Sequence, residues 1–187
     1  GFIEAHPQNR LSILAACEDP YTVAKFNYAG KEWPLPQTGQ MWLEYELLKN
    51  PDFPGVFCIS TSYRNEPNPI PGRHETIFPM FEFETKGTMI DLIKMESELL
   101  HYLDLPLPKL HNYEDLATHY GVDIIETEHE GKMCEEYGQA TIIQNFPERT
   151  SPFWNMKHDK DGIFSKVDVI LYGQETIGSA ERATDIE

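Results

Sequence analysis

SYRNEPNPIPGRHETIFPMFEFE, residues Ser62–Glu84, is the stretch that decides how this chain folds. It begins inside a β-rich segment, Gly55–Glu66, and it ends in Phe78–Thr85, where apolar and acidic residues alternate as in a strand with two unlike faces. The residues between them, Pro67–Glu75, are rich in Pro and Gly. We therefore predict a hairpin of two strands joined by a long loop.

This hairpin carries cationic, aromatic and acidic side chains. Arg64 and Glu66 are two residues apart at the end of the first strand, so their side chains share one face. The loop and the returning strand add five more polar or aromatic groups: Arg73, His74, Phe78, Glu82 and Glu84. Such a hairpin offers cations for phosphate, a ring for a base, and carboxylates for amines or a metal. A surface hairpin with merely solvated charges is an equal alternative on residue types alone.

On either side of the hairpin, the spacing of apolar residues predicts further helices and strands. The predicted helices are Gln40–Lys49, Thr88–Leu103 and Tyr113–Tyr120, and the predicted strands are Ala140–Asn145, Phe153–Lys157 and Ile163–Tyr172. Strands that follow one another through hairpins and loops indicate an α+β fold, a mainly antiparallel sheet flanked by helices. We expect one domain over residues 1–187.

Two helices have recognisable details. Thr88 and Asp91 resemble a capping box, and an apolar face is expected from Ile90, Ile93, Leu99 and Leu100. The acidic stretch Glu126–Glu136 is interpreted as a solvated helix face.

Composition limits the function classes. The net charge of −16 disfavours phosphate-backbone binding unless basic groups are gathered in one place. No run of about 18 apolar residues occurs, so we expect no membrane span. Cys17, Cys58 and Cys134 fit neither a disulfide framework nor a CxxC metal site, and we expect a reducing, cytoplasmic location. No GxxxxGK[ST] run occurs, which excludes a P-loop as the site for a nucleotide.

The order Arg-x-Glu, Arg-His, Phe and acidic strand resembles motif 2 of the class II aminoacyl-tRNA synthetases, in the form of the Asp/Asn/Lys branch. Five other segments resemble the same family in the family's order: GFIEAHP (Gly1–Pro7) a shortened motif 1, LPQTGQMWLE (Leu35–Glu44) the substrate-binding segment, GVDIIETEHE (Gly121–Glu130), NFPERTSPFW (Asn145–Trp154), and SKVDVILYGQETIGSAER (Ser165–Arg182) the metal-binding strand and turn. The closest likeness is to asparaginyl-tRNA synthetases or their stand-alone asparagine-synthetase-like paralogues.

The resemblance implies a role for each matching residue. It assigns catalysis to Arg64, at the α-phosphate of ATP. ATP binding is implied for Arg64, Glu66, Arg73, His74 and Phe78. Amino-acid binding is implied for Gln40, Glu82 and Arg182, and Mg²⁺ binding for Glu175, Ser179 and Asp168.

The sequence also departs from the family pattern. Motif 3, with its second ATP-binding arginine, is expected after Arg182 but is not found before Glu187. Ile77 stands where an acidic residue is expected, and Gly178–Arg182 differs from the usual Gly-Gly-Ser-x-Arg. We therefore expect the chain to be a fragment of a longer protein.

The resemblance leaves the substrate and the second step open. Leu43 stands where an aspartate-specific site usually has a lysine, and Glu44 and the run Glu128–Glu130 favour asparagine over aspartate, with lysine less favoured. The expected partners are the amino acid, ATP, a second subunit bound near Pro7, and tRNA if the full-length protein has an anticodon-binding domain. The alternatives are a paralogue that makes asparagine from aspartate, ATP and ammonia, and a non-catalytic module that retains the fold.

Overall fold

The computed structural model of the chain describes residues 1–8, 15–72 and 74–184. These residues form two compact units, Gly1–Lys86 and Gly87–Glu187. Each unit is described by itself below. The assignment of residues 1–187 to a single domain stays a prediction.

The first unit is built around the predicted hairpin. Its described elements are β1 (Ile3–Glu4), β2 (Lys25–Tyr28), β3 (Lys31–Pro34), α1 (Gln40–Lys49), β4 (Gly55–Tyr63) and β5 (Ile77–Thr85). Strands β4 and β5 pair antiparallel from Gly55↔Thr85 to Tyr63↔Ile77, which confirms the hairpin. Strand β1 pairs parallel to β4 at the other edge, and β2 and β3 form a separate antiparallel ribbon.

Helix α1 covers one face of the hairpin and supplies the centre of a small core. Leu43 is fully buried against Val56 and Cys58, while Leu48 on the same helix is 83% exposed. This difference follows from the 3.6-residue repeat of the helix, which puts Leu43 and Leu48 on different sides of α1. Alternation along β4 turns Val56 and Cys58 toward Leu43.

The second unit is a four-stranded sheet with helices on both faces. Its described elements are α2 (Met89–Tyr102), β6 (Lys109–Asn112), α3 (Tyr113–Tyr120), α4 (Thr127–Tyr137), β7 (Ala140–Pro147), a 3₁₀ turn (Glu148–Thr150), β8 (Ile163–Leu171) and β9 (Gln174–Ala180). The strand order is β6-β7-β8-β9. Pairs β7–β8 and β8–β9 are antiparallel, and β6 pairs parallel to β7. The α+β prediction is confirmed.

Two apolar clusters hold the helices to this sheet. One cluster contains Leu100 of α2 with Val167 and Val169 of β8. The other contains Leu116 of α3, Met133 of α4 and Ile170 of β8. Since Val169 and Ile170 are neighbours in a strand, the clusters lie on opposite faces. Helix α2 therefore covers one face, and helices α3 and α4 cover the other.

Helix α2 confirms the predicted start and corrects the predicted buried face. The backbone N–H of Thr88 donates to the carboxylate of Asp91 at 2.9 Å, and the side chain of Thr88 accepts the backbone N–H of Asp91, which together form the capping box. Ile90, however, is 76% exposed, whereas Glu96, which was not part of the predicted buried face, is 1% exposed. The buried stripe of α2 thus contains a carboxylic acid. A prediction based on the spacing of apolar residues does not include it.

Two further differences concern the segments flanking β8. Phe153–Lys157 is not a strand. Met156 forms an isolated bridge with Arg182, and the backbone of Lys157 donates to Glu181 and accepts from Ser165. The acidic stretch forms α4 as predicted, although His129 within it is buried.

Among the described residues, no helix has both the length and the apolar character that a membrane span needs.

The packing of α1 generates a matched pair of stability predictions. Leu43→Ala should lower the free energy of unfolding by about 2–5 kcal/mol, since it removes a fully buried side chain and leaves a cavity. Leu48→Ala, on the exposed side of the same helix, should change it by less than about 0.5 kcal/mol. Urea unfolding of the two variants measures the difference, and equal costs would contradict the described orientation of α1.

Candidate functional site

In the first unit, the polar residues of the hairpin share the face that α1 packs against. Cys58 of β4 pairs with Glu82 of β5, and Ser62 pairs with Phe78. Residues paired across an antiparallel ladder point to the same side of the sheet. Arg64 follows Ser62 by two residues and continues this face.

The carboxylate of Glu82 is the buried centre of this face. Its Oε2 accepts the backbone N–H of Gly39 at 2.8 Å and the hydroxyl of Ser60, and its Oε1 accepts the hydroxyl of Thr38. Glu82 is 8% exposed. The thiol of Cys58 is a further, weaker donor to Oε2, at 3.9 Å. Each carboxylate oxygen has about two acceptor positions, so Oε2 is fully used, whereas Oε1, which accepts Thr38, has room for one more donor. An amine is the kind of donor that fits this remaining position.

Gly39 is required for this arrangement. A Cβ atom at position 39 would lie 2.9 Å from the Cys58 Sγ and 3.1 Å from Glu82 Oε2. These distances are shorter than ordinary contacts, so the backbone reaches the carboxylate only because no side chain intervenes. Burial and the negative charge of Glu82 raise the pKa of Cys58 to about 12, which keeps it a thiol.

Gln40 begins α1 next to this carboxylate. Its backbone N–H donates to the hydroxyl of Thr38 at 3.1 Å, and its side-chain oxygen accepts the thiol of Cys17 at 2.9 Å. Thr38 in turn donates to Glu82. The structure thus brings together the two predicted amino-acid-binding residues of the first unit, Gln40 and Glu82.

Leu43 has a packing explanation that the sequence alone did not supply. It is fully buried in the core of the first unit rather than on the polar face. A lysine in this environment would bury its charge in an apolar cluster at high cost. Position 43 is therefore a core position in this chain, and the preference for asparagine over aspartate stays a prediction.

Arg64 and Phe78 lie side by side on the polar face. The guanidinium carbon of Arg64 is 5.5 Å from the centre of the Phe78 ring, and its Nε is 3.4 Å from the hydroxyl oxygen of Ser62. A cation over an aromatic face is held by the ring quadrupole. This pair offers a charge for a phosphate beside an apolar surface for a base.

Glu66 and His74 are also brought together. His74 Nδ1 is 3.1 Å from Glu66 Oε2, although eight residues separate them in the sequence. Arg73, the other predicted phosphate-binding residue of the loop, lies outside the described residues.

In the second unit, Asp168 and Glu175 converge on Gly178. Asp168 pairs with Gly178 across β8 and β9. A Cβ atom at position 178 would lie 2.8 Å from Glu175 Oε1 and 3.6 Å from Asp168 Oδ1. A glycine thus leaves a space between two carboxylates that any other side chain would fill. Because Asp168 Oδ1 is buried and has no hydrogen-bond partner among the described residues, this space fits a cation.

The electrostatics of Asp168 follow from burial and from its neighbours. Burial is the main reason that the pKa of Asp168 is raised above its ordinary value, and the charges of Glu175 and Glu130 raise it further. Lys166 opposes this shift, since its Nζ is 2.5 Å from Asp168 Oδ2. The same ammonium group lies 4.0 Å from the centre of the Phe146 ring.

Ser179 is not brought together with Asp168 and Glu175. It pairs with Val167, so its side chain points to the opposite face of the sheet from Asp168. There its hydroxyl donates to Glu96 Oε1 at 2.6 Å. Because side chains alternate along β9, Gly178 and Ala180 lie on the same face of the sheet as Asp168. Ser179 lies on the other face and contributes to the contact between β9 and α2.

The remaining predicted residue, Arg182, follows β9 and forms a backbone bridge with Met156. The prediction that Arg64, Glu66, Phe78, Glu175 and Arg182 line one cleft involves both units and stays a prediction. Among the described residues, no three His, Cys, Asp or Glu side chains converge closely enough to hold a metal ion by themselves. A cation at Asp168 and Glu175 would need other oxygen ligands, as Mg²⁺ does when it keeps waters and binds substrate phosphates.

Sequence reasoning assigned no role to Glu96, which lies in an otherwise apolar helix face, or to Lys166, which lies in an alternating strand. It used Glu130 only as part of the run Glu128–Glu130. Glu130 Oε2 accepts the backbone N–H of Glu175 at 3.3 Å. The spacing of Lys166 and Asp168, two apart in a strand, was the available signal for their contact.

Comparison with known proteins shows the family of the chain. Residues 11–187 match the family described as tRNA synthetases class II (D, K and N). An asparagine–tRNA ligase of Mesoplasma florum is 30% identical over 92 residues, which cover 48% of this chain and 20% of that protein. An aspartate–tRNA(Asp/Asn) ligase of Methanopyrus kandleri is 26% identical over 212 aligned positions, which cover 97% of this chain and 48% of that protein.

Solved structures show the same fold. An asparaginyl-tRNA synthetase from Pyrococcus horikoshii, complexed with asparaginyl-adenylate, aligns with a TM-score of 0.84 at 22% identity, over 99% of this chain and 50% of that one. The asparaginyl-tRNA synthetase of Entamoeba histolytica, also with asparaginyl-adenylate, gives 0.81 at 22% identity, over 97% of this chain and 48% of that one. The chain therefore belongs to the class II tRNA synthetases of the D, K and N group. It spans about half the length, or less, of these relatives.

The burial of Glu96 generates a pH prediction. Burial raises the pKa of Glu96 from 4.5 to about 7, and the bond from Ser179 opposes the shift. The folded state therefore holds this proton more tightly than the unfolded state. The stability that Glu96 contributes is fully present below pH 4.5 and is lost as the pH rises through about 7. Glu96→Gln should thus gain stability relative to the unmodified protein across this range and level off above it.

Urea unfolding at several pH values measures this effect. Glu98→Gln is the matched control, because Glu98 lies on the same helix with a side chain that is 68% exposed. Its stability difference should stay flat with pH. A flat difference for Glu96→Gln as well would show that the buried carboxyl is not protonated on folding.

Proposed function

We propose that this protein uses ATP to activate the carboxylate of asparagine or aspartate as an aminoacyl adenylate, for transfer to tRNA. One observation carries the proposal. Arg64, Phe78 and Glu82 lie on one face of a single hairpin, with the Arg64 guanidinium 5.5 Å from the Phe78 ring. A phosphate, a base and an amine are the groups that these three side chains bind best, and an amino acid with ATP presents all three.

The reaction is an in-line displacement. An oxygen of the amino-acid carboxylate attacks the α-phosphorus, the bond to the bridging oxygen of the β-phosphate breaks, and pyrophosphate leaves with the electron pair. No protein nucleophile is needed, so the protein positions the reactants and neutralises charge. Arg64 suits this task because its planar fork binds two phosphate oxygens at once.

The hairpin supplies the proposed nucleotide contacts. Phe78 stacks on adenine, Glu66 accepts its amino group, and His74 with Arg73 binds the outer phosphates. His74 and Glu66 contact each other at 3.1 Å, so in this proposal the nucleotide replaces their contact with one to the adenine amino group and one to the outer phosphates.

Three residues are proposed to bind the amino acid. Glu82 accepts the α-amino group at its remaining acceptor position, with Gln40 beside it. Arg182 binds the substrate side chain.

Mg²⁺ is proposed to bind at Asp168 and Glu175, on the face that Gly178 leaves open. The ion would neutralise phosphate charge during the displacement. Ser179 takes no part as a side-chain ligand in this proposal, because its hydroxyl faces Glu96.

Asparagine is the favoured substrate on the pattern around Glu44 and Glu128–Glu130, and aspartate is the alternative. The names of the two curated relatives are divided in the same way. The ammonia-dependent paralogue uses the same adenylate and differs in the acceptor, so identification of the product separates it from a tRNA ligase. The proposed setting is a cytoplasmic homodimer, with tRNA bound through parts of the full-length protein.

Pyrophosphate exchange into ATP tests the adenylation step in the full-length protein. With asparagine or aspartate present, Arg64→Ala should lower the exchange kcat on the order of 100- to 1000-fold, because it removes a preorganised donor to charge that develops in the transition state. The KM for the amino acid should change far less. Arg64→Lys should not restore the rate, since a point charge cannot replace the fork.

Arg149→Ala is a matched control, because Arg149 is an ion-paired arginine bound to Glu114 in the second unit. Its exchange rate should stay close to that of the unmodified protein. Near-normal exchange by a folded Arg64→Ala protein would disprove adenylation at this hairpin.

A further inference from the structure

We propose that Lys166 is a built-in counter-ion that competes with the divalent cation for Asp168, so that it sets the metal affinity of the site. The inference rests on the proposed metal site at Asp168 and Glu175. It assigns to Lys166 a function that neither the sequence pattern nor the proposed reaction requires.

The first observation is the geometry of the lysine. Its Nζ lies 2.5 Å from Asp168 Oδ2 and 4.0 Å from the centre of the Phe146 ring. Its side chain is 22% exposed. The ammonium group is therefore held between a carboxylate and an aromatic face, instead of extending into solvent as lysines usually do.

The second observation concerns Oδ1, the other oxygen of the Asp168 carboxylate. Asp168 Oδ1 is buried and has no hydrogen-bond partner among the residues that the structure describes. It faces the space at Gly178, where Glu175 Oε1 also points. One oxygen of Asp168 is thus taken by a monovalent cation, and the other is open on the side of a second carboxylate.

The charges around this point favour a cation and explain the competition. Glu175 and Glu130 both act on Asp168, and Lys166 is the cation described in contact with it. A divalent ion at Asp168 meets repulsion from the ammonium group unless the lysine moves away. Since a lysine side chain has several rotatable bonds and Lys166 is partly exposed, it can leave Asp168 when a divalent ion arrives. The lysine then keeps the buried carboxylate paired whenever the metal is absent.

Direct titration with Mn²⁺ alone, without ATP or amino acid, tests the inference by calorimetry on the full-length protein. Lys166→Met removes the charge and keeps the length of the side chain. It should bind Mn²⁺ about 10- to 100-fold more tightly than the unmodified protein, the range by which groups bonded to metal ligands change affinity. Lys166→Arg keeps the charge and should stay close to the unmodified affinity.

Two further variants make the result specific. Lys157→Met removes another ion-paired lysine of the second unit, 2.7 Å from Glu181, and should leave Mn²⁺ affinity unchanged. Adding Asp168→Asn to Lys166→Met should abolish the gain. If Lys166→Met does not fold, Lys166→Gln carries the same expectation, because its amide still donates to Asp168 without a charge.

The inference is overturned if the neutral variant binds Mn²⁺ no more tightly than the unmodified protein, or if the gain survives Asp168→Asn. Its failure is distinct from failure of the proposed adenylation. Absent pyrophosphate exchange with a clear shift in Mn²⁺ affinity would reject the reaction and retain the role of Lys166. Normal pyrophosphate exchange with an unchanged Mn²⁺ affinity would retain the reaction and reject the role of Lys166.

Discussion

The constraint on which the first unit depends is the burial of the Glu82 carboxylate. A buried charge must be met by hydrogen bonds, and the donors come from Thr38, Gly39 and Ser60. These donors lie on β4 and on the residues just before α1, so satisfying one carboxylate fixes how the helix sits on the hairpin. Position 39 must be glycine for the same reason, because a side chain there would collide with Cys58 and Glu82.

The second unit shows a related constraint on each face of its sheet. On the α2 side, Glu96 is buried and accepts the hydroxyl of Ser179, and burial raises its pKa to about 7. On the α4 side, Asp168 is buried beside Glu175, and Lys166 supplies part of the compensation. Burial thus favours the protonated form of Glu96, whereas Asp168 is paired with the ammonium group of Lys166. The difference arises because the strand position facing Glu96 is Ser179, whereas Lys166 lies two residues from Asp168 on the same face of β8.

These buried acids connect stability with the proposed chemistry. A carboxylate that is held by fixed donors does not reorganise when a substrate amine or a metal arrives, which is the basis of electrostatic preorganisation. The donors around Glu82 leave one acceptor position, and the pairing of Asp168 with Gly178 leaves one open oxygen.

The sequence by itself determined the hairpin, the bounds of α1 and α3, the capping box of α2 and the family, because each depends on local patterns or on the order of motifs. Alternation along the first strand predicted that Arg64 and Glu66 share a face, and the pairing of β4 with β5 brings Phe78 and Glu82 to the face of Arg64. Tertiary structure decided the features that depend on strand pairing and on packing. Only the register of β8 with β9 puts Gly178 on the face of Asp168 and turns Ser179 toward Glu96. Only the packing of α1 shows that Leu43 belongs to the core. The physical reason is that a side chain's face and partner depend on residues distant in the chain, whose positions no local pattern records.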